Sequence, residues 1–301
     1  MQILDVLIDP ILPVFAILAL GFGLGRSGRV TAEHARIINW VATNIFLPIL
    51  VLGLVANAPI GQFDFLPLLT YGAAEAVLGA FALWLAFRFG LGAREAILLA
   101  IGCVFVNNAF LVLPISQFLY GADKVDPIIA VITLDTVVLF TAALFALELT
   151  RADRPSPMRA LGLIARLPLG QAIVAGLALN LLAVELAEPV QTFLRFNGAA
   201  AAPLALLALG IVLADTTVRP DGAVWMFTAL KLVALPGLVW AGLWLIAPDG
   251  TENGKFLLSA AGPVTTAVFS LALLYDVPTQ RIAQILVLTT VMSLVSLALF
   301  A

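Results

Sequence analysis

Two adjacent asparagines, Asn107 and Asn108, lie in a strongly apolar stretch shortly before Pro114. Amide side chains donate and accept hydrogen bonds, so they can bind a polar solute or satisfy free backbone groups. Free backbone groups are expected here, because proline removes a helical hydrogen bond and clashes with the preceding turn. We therefore predict that Asn107, Asn108 and Pro114 line a binding site. The alternative is that the asparagines cap helix ends or join helices without a ligand.

A second apolar stretch carries a similar interruption in the other half of the chain. Pro263 is followed by Val264, Thr265 and Thr266. The hydroxyl groups of the two threonines lie where the backbone is expected to open. Threonine hydroxyls also bond to carbonyls of their own helix, which is the simpler interpretation. Interrupted apolar segments at corresponding places in two halves are typical of the midplane binding site of a secondary transporter. We predict that these four residues complete the site.

Three ionisable side chains also lie inside apolar stretches, where charge is costly and commonly functional. Glu75 and Lys231 occupy corresponding stretches of the two halves, so we predict either a structural charge pair or a role in ion coupling. Asp135 is a candidate site for a proton or a sodium ion. The only cysteine, Cys103, and the only histidine, His34, cannot form a metal cage, so no metal or other cofactor is expected.

The composition is that of a membrane protein. Residues of the AVILMFWYC set make up 62% of the chain and charged residues 11%, and the mean hydropathy is +1.12. A helix needs roughly 20 apolar residues to cross the hydrocarbon core. We predict an all-α polytopic membrane protein with ten spans. They cover residues 10–25, 37–57, 64–87, 95–120, 126–149, 168–184, 199–215, 223–247, 254–275 and 279–300.

Basic residues are distributed unequally between the predicted loops. Eleven arginines follow odd-numbered spans, whereas only Lys124, Arg195 and Lys255 follow even-numbered spans. Because positive charge marks cytoplasmic loops, we predict a protein of the cytoplasmic membrane with both termini outside. No polybasic run suggests nucleic acid as a partner.

One polar connector, residues 151–167, divides the predicted spans into five and five. An odd number of spans in each half forces opposite insertion, so residues 1–150 and 168–301 are predicted to be inverted repeats joined by a cytoplasmic linker. Glycines at positions 21, 23, 25, 53 and 210 are predicted to mark close helix contacts rather than ligand sites.

Several motifs resemble those of the auxin efflux carrier family, which groups plant PIN-formed carriers with bacterial carriers described as malonate transporters. The most specific is NNAFLVLP at residues 107–114, which resembles the family pattern Asn, x, Gly, Phe, x, Gly, x, Pro. Weaker similarities are PVF at 13–15, FLP at 46–48, GP at 262–263 and LALLY at 271–275. Ala109 and Val112 replace the usual glycines, which should tighten the space around the site.

The resemblance implies two inverted repeats of five helices each, a fold shared with sodium-coupled bile acid symporters. In that fold the fourth and ninth spans are broken and cross at their prolines, here Pro114 and Pro263, and the substrate binds beside the crossing. Spans 1, 2, 6 and 7 would form a scaffold, often dimeric. Spans 3–5 and 8–10 would form a transport domain that moves as an elevator. The ninth span has no asparagine to complement Asn107.

These observations predict a carrier of small organic anions rather than an enzyme. Helix N-termini at a crossing favour a carboxylate, and Lys231 would add to the positive field. Transport could be coupled to protons or sodium through Asp135 or Glu75, or driven by the membrane potential, at roughly 2.3 kcal/mol per charge per 100 mV. The alternatives are a sodium-coupled symporter of a larger amphipathic, bile-acid-like anion, a channel, and an intramembrane enzyme or receptor.

Overall fold

The computed structural model describes residues 12–62, 64–122, 124–150, 158, 162, 165–215 and 219–300. The beginning of the predicted first span and most of the predicted linker lie outside these residues. The described residues form helices and short connections, and they contain no β-strand beyond one isolated bridge.

We number the helices in chain order. They are α1 Leu12–Arg26, α2 Ala32–Ala56, α3 Phe65–Arg88, α4 Ala93–Val104, α5 Asn108–Tyr120, α6 Asp126–Leu149, α7 Pro168–Leu181, α8 Glu188–Gly198, α9 Ala201–Asp215, α10 Gly222–Ile246, α11 Asn253–Ala261, α12 Thr266–Leu274 and α13 Gln280–Phe300.

Six helical stretches in the described residues are long and apolar enough to cross a membrane, and shorter apolar helices accompany them. Five of the six are α2, α3, α6, α10 and α13, and the sixth, Glu188–Ala214, comprises α8 and nearly all of α9. The prediction of an all-helical, multi-pass membrane protein is thereby confirmed. The count of ten spans and their grouping into inverted repeats remain predictions.

Two predicted spans are interrupted. The fourth is divided into α4 and α5 by residues 105–107, and the ninth into α11 and α12 by residues 262–265. Pro263 therefore lies at its break, whereas Pro114 lies in the middle of α5, which continues to Tyr120. The expectation that the fourth span breaks at Pro114 is wrong by several residues.

A π-helical turn, which is wider than an α-helical turn, explains why the chain stays helical at Pro114. Such a turn relieves the clash of the proline ring with the preceding carbonyl groups without ending the helix. Three such turns are each followed, two residues later, by a proline: Pro48, Pro114 or Pro236. A fourth begins at Asp135 and is not followed by a proline. The four π-helical turns are Ala42–Phe46, Asn108–Val112, Asp135–Leu139 and Leu230–Ala234.

Helix α8 lies between the predicted sixth and seventh spans, where the sequence predicts no membrane-spanning segment. Its first turn contains Pro189, which is favourable at the start of a helix, and its Leu194 is buried. Leu194 lies close to Gly53 of α2, where an added Cβ would come within 3.3 Å of its Cβ. The helix could not be predicted as a span of its own, because it has only 11 residues and a polar face.

Helices α1 and α9 pack against each other through glycines, as predicted for Gly21, Gly25 and Gly210. The prediction is wrong for Gly23, because a Cβ atom added there would meet no atom of another helix within 4 Å. A Cβ atom added to Gly21 would clash with the carbonyl oxygen of Leu207, and one added to Gly210 would clash with that of Leu18. At Gly25 an added Cβ would lie 2.7 Å from the Cβ of Ala214. Small residues let the two backbones approach closely, which favours van der Waals packing in a membrane.

Helix α7 contacts the end of α2 through a side-chain amide. Asn180 Nδ2 donates to the carbonyl oxygens of Val55, Ala56 and Ala58 at distances of 2.7 to 3.1 Å. These carbonyls belong to or follow the last turn of α2, so the amide satisfies groups that the helix leaves free. Spans 1, 2, 6 and 7 are thus in mutual contact, although their role as a scaffold remains a prediction.

Charged residues from different loops meet at one end of the helices. Arg281 Nη1 lies 2.9 Å from Glu95 Oε1, and Arg281 Nε lies 2.8 Å from Asp221 Oδ2. Arg94 donates to the hydroxyl and carbonyl of Thr150, at 3.3 Å in each case. These residues come from the loops after the third, fifth, seventh and ninth predicted spans. These four loops therefore share one side of the molecule.

Candidate functional site

The two interrupted segments cross each other by backbone hydrogen bonds. Asn107 N donates to Pro263 O at 2.8 Å, and Thr265 N donates to Phe105 O at 3.1 Å. The resulting antiparallel bridge pairs Val106 with Val264. The breaks thus satisfy part of their freed backbone by pairing with each other, as the absence of water in a bilayer core requires.

Gly262 allows this close approach. A Cβ atom added there would lie 2.6 Å from Val112 Cγ2 and 2.7 Å from Val106 Cγ1. Val112 stands where the family pattern that this motif resembles has glycine. Its fully buried side chain fills the space beside Gly262. The expectation that Val112 tightens the crossing is in line with this geometry.

Polar side chains at the crossing are buried, and some have no partner among the described residues. Asn107 is only 2% exposed, and its Nδ2 donates to no protein acceptor. The hydroxyl of Thr266 also lacks a partner, whereas Thr265 Oγ1 accepts a hydrogen bond from Ala267 N at 3.4 Å. A buried polar atom without a hydrogen-bond partner lowers the stability of the fold by about 1–3 kcal/mol. Such an atom therefore indicates a functional role, such as binding of a ligand.

Asn108 joins the crossing to a carboxylate. Its Nδ2 donates to Asp135 Oδ2 at 3.2 Å, and its Oδ1 has no partner in the described residues. Asp135 begins the widened turn of α6, and Asn108 begins the widened turn of α5. Widened turns often occur at functional positions, because they re-aim side chains out of the regular helical pattern.

Glu75 lies behind this contact and faces Asp135. The two carboxyl groups are within hydrogen-bonding reach of each other, and Glu75 Oε1 and Asp135 Oδ1 have no donor among the described residues. Lys231, which is completely buried, lies close enough to attract both carboxylates. Its ammonium donates to the carbonyl oxygen of Ala260 at 2.9 Å. Glu75 and Lys231 therefore belong to one cluster without forming the simple pair that we considered.

A small cavity opens at the crossing. Its volume is about 50 Å³, and its wall includes Asn107, Asn108, Asp135, Thr265 and Thr266. The other predicted site residues are not part of this wall. Pro263 and Val264 form the crossing itself, Glu75 and Lys231 lie behind the wall, and Pro114 lines a separate cavity.

Two larger cavities flank the crossing from opposite ends of the helices. One of about 460 Å³ reaches the end of the molecule that carries Arg36, and one of about 700 Å³ reaches the end that carries Arg195. The cavity near Arg36 shares several wall residues with the crossing cavity, namely Thr43, Leu47, Phe140, Leu169, Thr266 and Ala267. The cavity near Arg195 shares only Ala109 with it. The crossing is therefore more closely connected to the end with Arg36.

Sequence reasoning missed two hydroxyl groups beside the site. Thr289 Oγ1 accepts a hydrogen bond from Val264 N at 3.3 Å, which satisfies another freed backbone group. Nothing near Thr289 in the sequence indicates this contact. Tyr71 is fully buried with an unpartnered hydroxyl, close to Asn108 and the carboxyl groups. Its spacing of four residues before Glu75 places both on one face of α3, so this signal was available.

The helix ends around the cavity favour a negatively charged ligand. Helices α5 and α12 both begin at the crossing, at Asn108 and Thr266, so their N-termini carry partial positive charge there. Backbone N–H groups at helix N-termini commonly bind carboxylate and phosphate groups. The arrangement can thus hold a small anion between two helix ends and the amides of Asn107 and Asn108.

Comparison with known proteins identifies the chain as a membrane transport protein. The model of the family described as membrane transport protein matches residues 6–158 and 156–301. A protein of Rhizobium meliloti named "Putative malonate transporter" is 26% identical over 300 residues, which cover 94% of this chain and 91% of that protein. An "Uncharacterized transporter" of Methanothermobacter thermautotrophicus is 25% identical, with 97% of each chain covered. The chain therefore belongs to the membrane transport protein family, the auxin efflux carrier group that its motifs resemble.

Proposed function

We propose that this transporter moves small organic carboxylates across the cytoplasmic membrane and binds them at the crossing of its two broken spans. The observation that carries the proposal is the buried crossing itself, where unpartnered amide and hydroxyl groups of Asn107, Asn108 and Thr266 face a cavity beside two helix N-termini. The resemblance to the relative named for malonate points to the same class of solute.

The size of the cavity favours a small solute. A volume of about 50 Å³ has room for only a few non-hydrogen atoms, since one water needs about 10–15 Å³ on the same measure. Val112 and Val106 narrow the crossing further through their contacts with the Gly262 position. A short monocarboxylate or dicarboxylate suits this space better than an amphipathic, bile-acid-like anion, which is the alternative substrate class.

Alternating access explains the two flanking cavities. The crossing connects with the cavity near Arg36 and is largely separated from the one near Arg195. Because basic loops favour the cytoplasm, we assign the Arg36 end to the cytoplasm and place both termini outside. Movement of spans 3–5 and 8–10 against spans 1, 2, 6 and 7 would then transfer the crossing from one cavity to the other.

A homodimer through the scaffold is part of the proposal. Large apolar side chains on α7 and α8 are exposed in the single chain, including Val174, Leu181, Phe193 and Phe196. A second copy or lipid would cover them, and a fixed scaffold dimer would give the moving spans a stationary support.

Transport by purified protein in liposomes tests the proposal. Vesicles loaded with unlabelled malonate should accumulate radiolabelled malonate by exchange, with an initial rate that saturates as the external concentration rises. The same assay with acetate, succinate and taurocholate as competitors, each under proton, sodium and potential gradients, defines the substrate class and the driving ion.

Three outcomes would contradict the proposal. A current that rises without saturation would indicate a channel. Inhibition by taurocholate together with a strict sodium requirement would favour the bile-acid-like alternative. Absence of any protein-dependent carboxylate flux under all gradients would remove the organic-anion assignment.

A further inference from the structure

The carboxyl groups of Glu75 and Asp135 are buried next to each other. Glu75 is 4% exposed and Asp135 is 1% exposed. Helices α3 and α6 approach closely beside them, since a Cβ atom added to Gly72 would lie 3.2 Å from Leu134 Cδ2. The two carboxyl groups are close enough to interact, and Glu75 Oε1 and Asp135 Oδ1 have no donor among the described residues. Two ionised carboxylates so placed would repel each other and leave both oxygens unsatisfied.

One proton removes both difficulties, because a carboxylic acid donates a hydrogen bond to a neighbouring carboxylate. We infer that Glu75 and Asp135 bind a single shared proton, and that this proton is the ion coupled to carboxylate transport at the crossing. The coupling part of this inference rests on the proposed function, whereas the proton site itself does not.

The charges of the surrounding groups agree with one proton. Lys231 is the basic residue of the cluster, and in its ammonium form it balances one of the two carboxylates. A shared proton neutralises the other, so the cluster as a whole is neutral, which a low-dielectric interior favours. The other titratable groups that face the cluster are the Tyr71 hydroxyl from α3 and the Cys103 thiol from α4, and both are neutral near pH 7 at their ordinary pKa values.

The same surroundings disfavour a metal cation. Hard cations take several oxygen ligands at once, so a site for one needs more than the two carboxyl groups. Lys231 would also repel a cation placed between the carboxylates. A proton needs only the two facing oxygens and no additional space.

Asn108 provides the link between the proton and the solute. It donates to Asp135 Oδ2, and its own Oδ1 is unpartnered in the described part of the chain. Asn108 and Asp135 both line the crossing cavity. Loss of the proton would increase the negative charge on Asp135 and repel a carboxylate in that cavity, so solute and proton should bind together.

Labelling by dicyclohexylcarbodiimide tests the site without requiring transport, because this reagent modifies protonated carboxyl groups in apolar surroundings. Purified protein is labelled across a pH series, in sodium chloride or in choline chloride of equal ionic strength, and the modified peptides are identified by mass spectrometry. We expect labelling at Glu75 or Asp135 that is lost as the pH rises and is the same in both salts. Protection by sodium, or absence of labelling at these residues at every pH, would overturn the inference.

Two isosteric variants test whether the proton is shared. In Glu75→Gln the new amide can donate to Asp135 Oδ1, and Lys231 balances the remaining carboxylate, so labelling at Asp135 should disappear. Asp135→Asn should likewise remove labelling at Glu75. The matched control is Asp126→Asn, which changes a partly exposed carboxylate at the other end of α6 and should leave labelling intact. Persistent labelling of the remaining carboxyl group in folded Glu75→Gln would contradict a shared proton.

Measurement of proton movement completes the test of coupling. In liposomes that contain a pH-sensitive dye, a malonate gradient should change the internal pH with wild-type protein and not with Glu75→Gln. Labelling without any carboxylate flux would leave the proton site standing and remove the proposed substrate. Malonate flux without labelling would leave the proposed function standing and remove the proton site.

Discussion

Helices α1 and α9 pack through glycines, whereas the two broken spans meet through polar groups. The described residues of α1 and α9 contribute no buried side-chain atom without a hydrogen-bond partner. In and beside the crossing such atoms are frequent, and they belong to Tyr71, Glu75, Asn107, Asn108, Asp135 and Thr266.

This difference separates structural from functional packing. The contact of α1 and α9 is close and complete, so it favours stability and has no group left to bind a ligand. The crossing keeps unsatisfied groups that each lower stability, and a protein retains such groups where a solute or a proton uses them. Substitutions at the two regions should therefore have opposite consequences for folding and for transport.

The largest expected effect is on stability, at the glycine contact. In Gly210→Leu the new side chain would clash with the Leu18 carbonyl and lie 2.8 Å from Phe22 N at its Cβ. Backbone atoms cannot move aside cheaply, so we expect a loss of at least about 3 kcal/mol, the upper range for overpacking. Thermal unfolding in detergent and the yield of monodisperse protein would measure it.

Gly23→Ala is the matched control, since no atom outside its own helix lies within 4 Å of the added Cβ. It should unfold at the wild-type temperature or slightly above it. Equal stability of Gly210→Leu and the wild type would show that α1 and α9 do not pack as described.

Val112→Ala should produce a smaller loss of stability together with a change of specificity. Removing two buried methylene equivalents costs about 2 kcal/mol, and it also opens the space beside Gly262. We expect larger carboxylates to compete better against malonate in the exchange assay. If the variant is less stable but keeps the wild-type order of competitors, the crossing does not determine solute size.

Glu75→Gln should change stability in the direction opposite to Gly210→Leu and Val112→Ala. The glutamine amide donates to Asp135 Oδ1 without the proton that the wild-type pair must take up at neutral pH. We therefore expect stability at neutral pH to rise by about 1 kcal/mol while pH-dependent transport is lost. Unfolding temperature and transport rate measured on the same preparation would show the two changes. A variant that loses stability and transport together would indicate a structural role only.

The smallest effect is expected at the loop contact far from both regions. Asp221 caps α10, since its Oδ1 accepts from Val224 N at 2.9 Å, and its Oδ2 pairs with Arg281. Asp221→Ala should cost about 1 kcal/mol, as for other caps. Asp221→Asn should cost less, because asparagine keeps the cap and loses only the exposed ion pair.

The pH dependence of this cap follows from its hydrogen bonds. The N–H of Val224 and then Arg281 hold the pKa of Asp221 below its ordinary value in the folded protein. Its stabilisation is therefore present above the ordinary carboxyl pKa of about 3.9 and is lost as the pH falls through the lowered folded-state value. The difference in unfolding temperature between wild type and Asp221→Ala should vanish in that acidic range. A difference independent of pH would exclude the charge of Asp221 as its source.

The sequence predicts the membrane class, the two interrupted spans and the glycine contacts, because each depends on local composition. The break after Gly262 is marked by Pro263. The break at residues 105–107 has no such marker, and Pro114 misplaces it because a widened turn accommodates that proline. Individual residues of the site were found from their unusual polarity. Their grouping was not, since the facing of Glu75 and Asp135 depends on the rotation of two helices that are distant in sequence.

The most direct test of the crossing as a binding site is the affinity of purified protein for malonate, measured by isothermal titration calorimetry for Asn107→Ala and the wild type. Asn197→Ala is the control, because within the described residues its side-chain amide donates to Phe193 O of its own helix and to no other group. We predict that the wild type and Asn197→Ala bind malonate with equal affinity, and that Asn107→Ala unfolds at the wild-type temperature or higher but no longer binds. Unchanged affinity in Asn107→Ala would contradict the assignment of the crossing as the binding site.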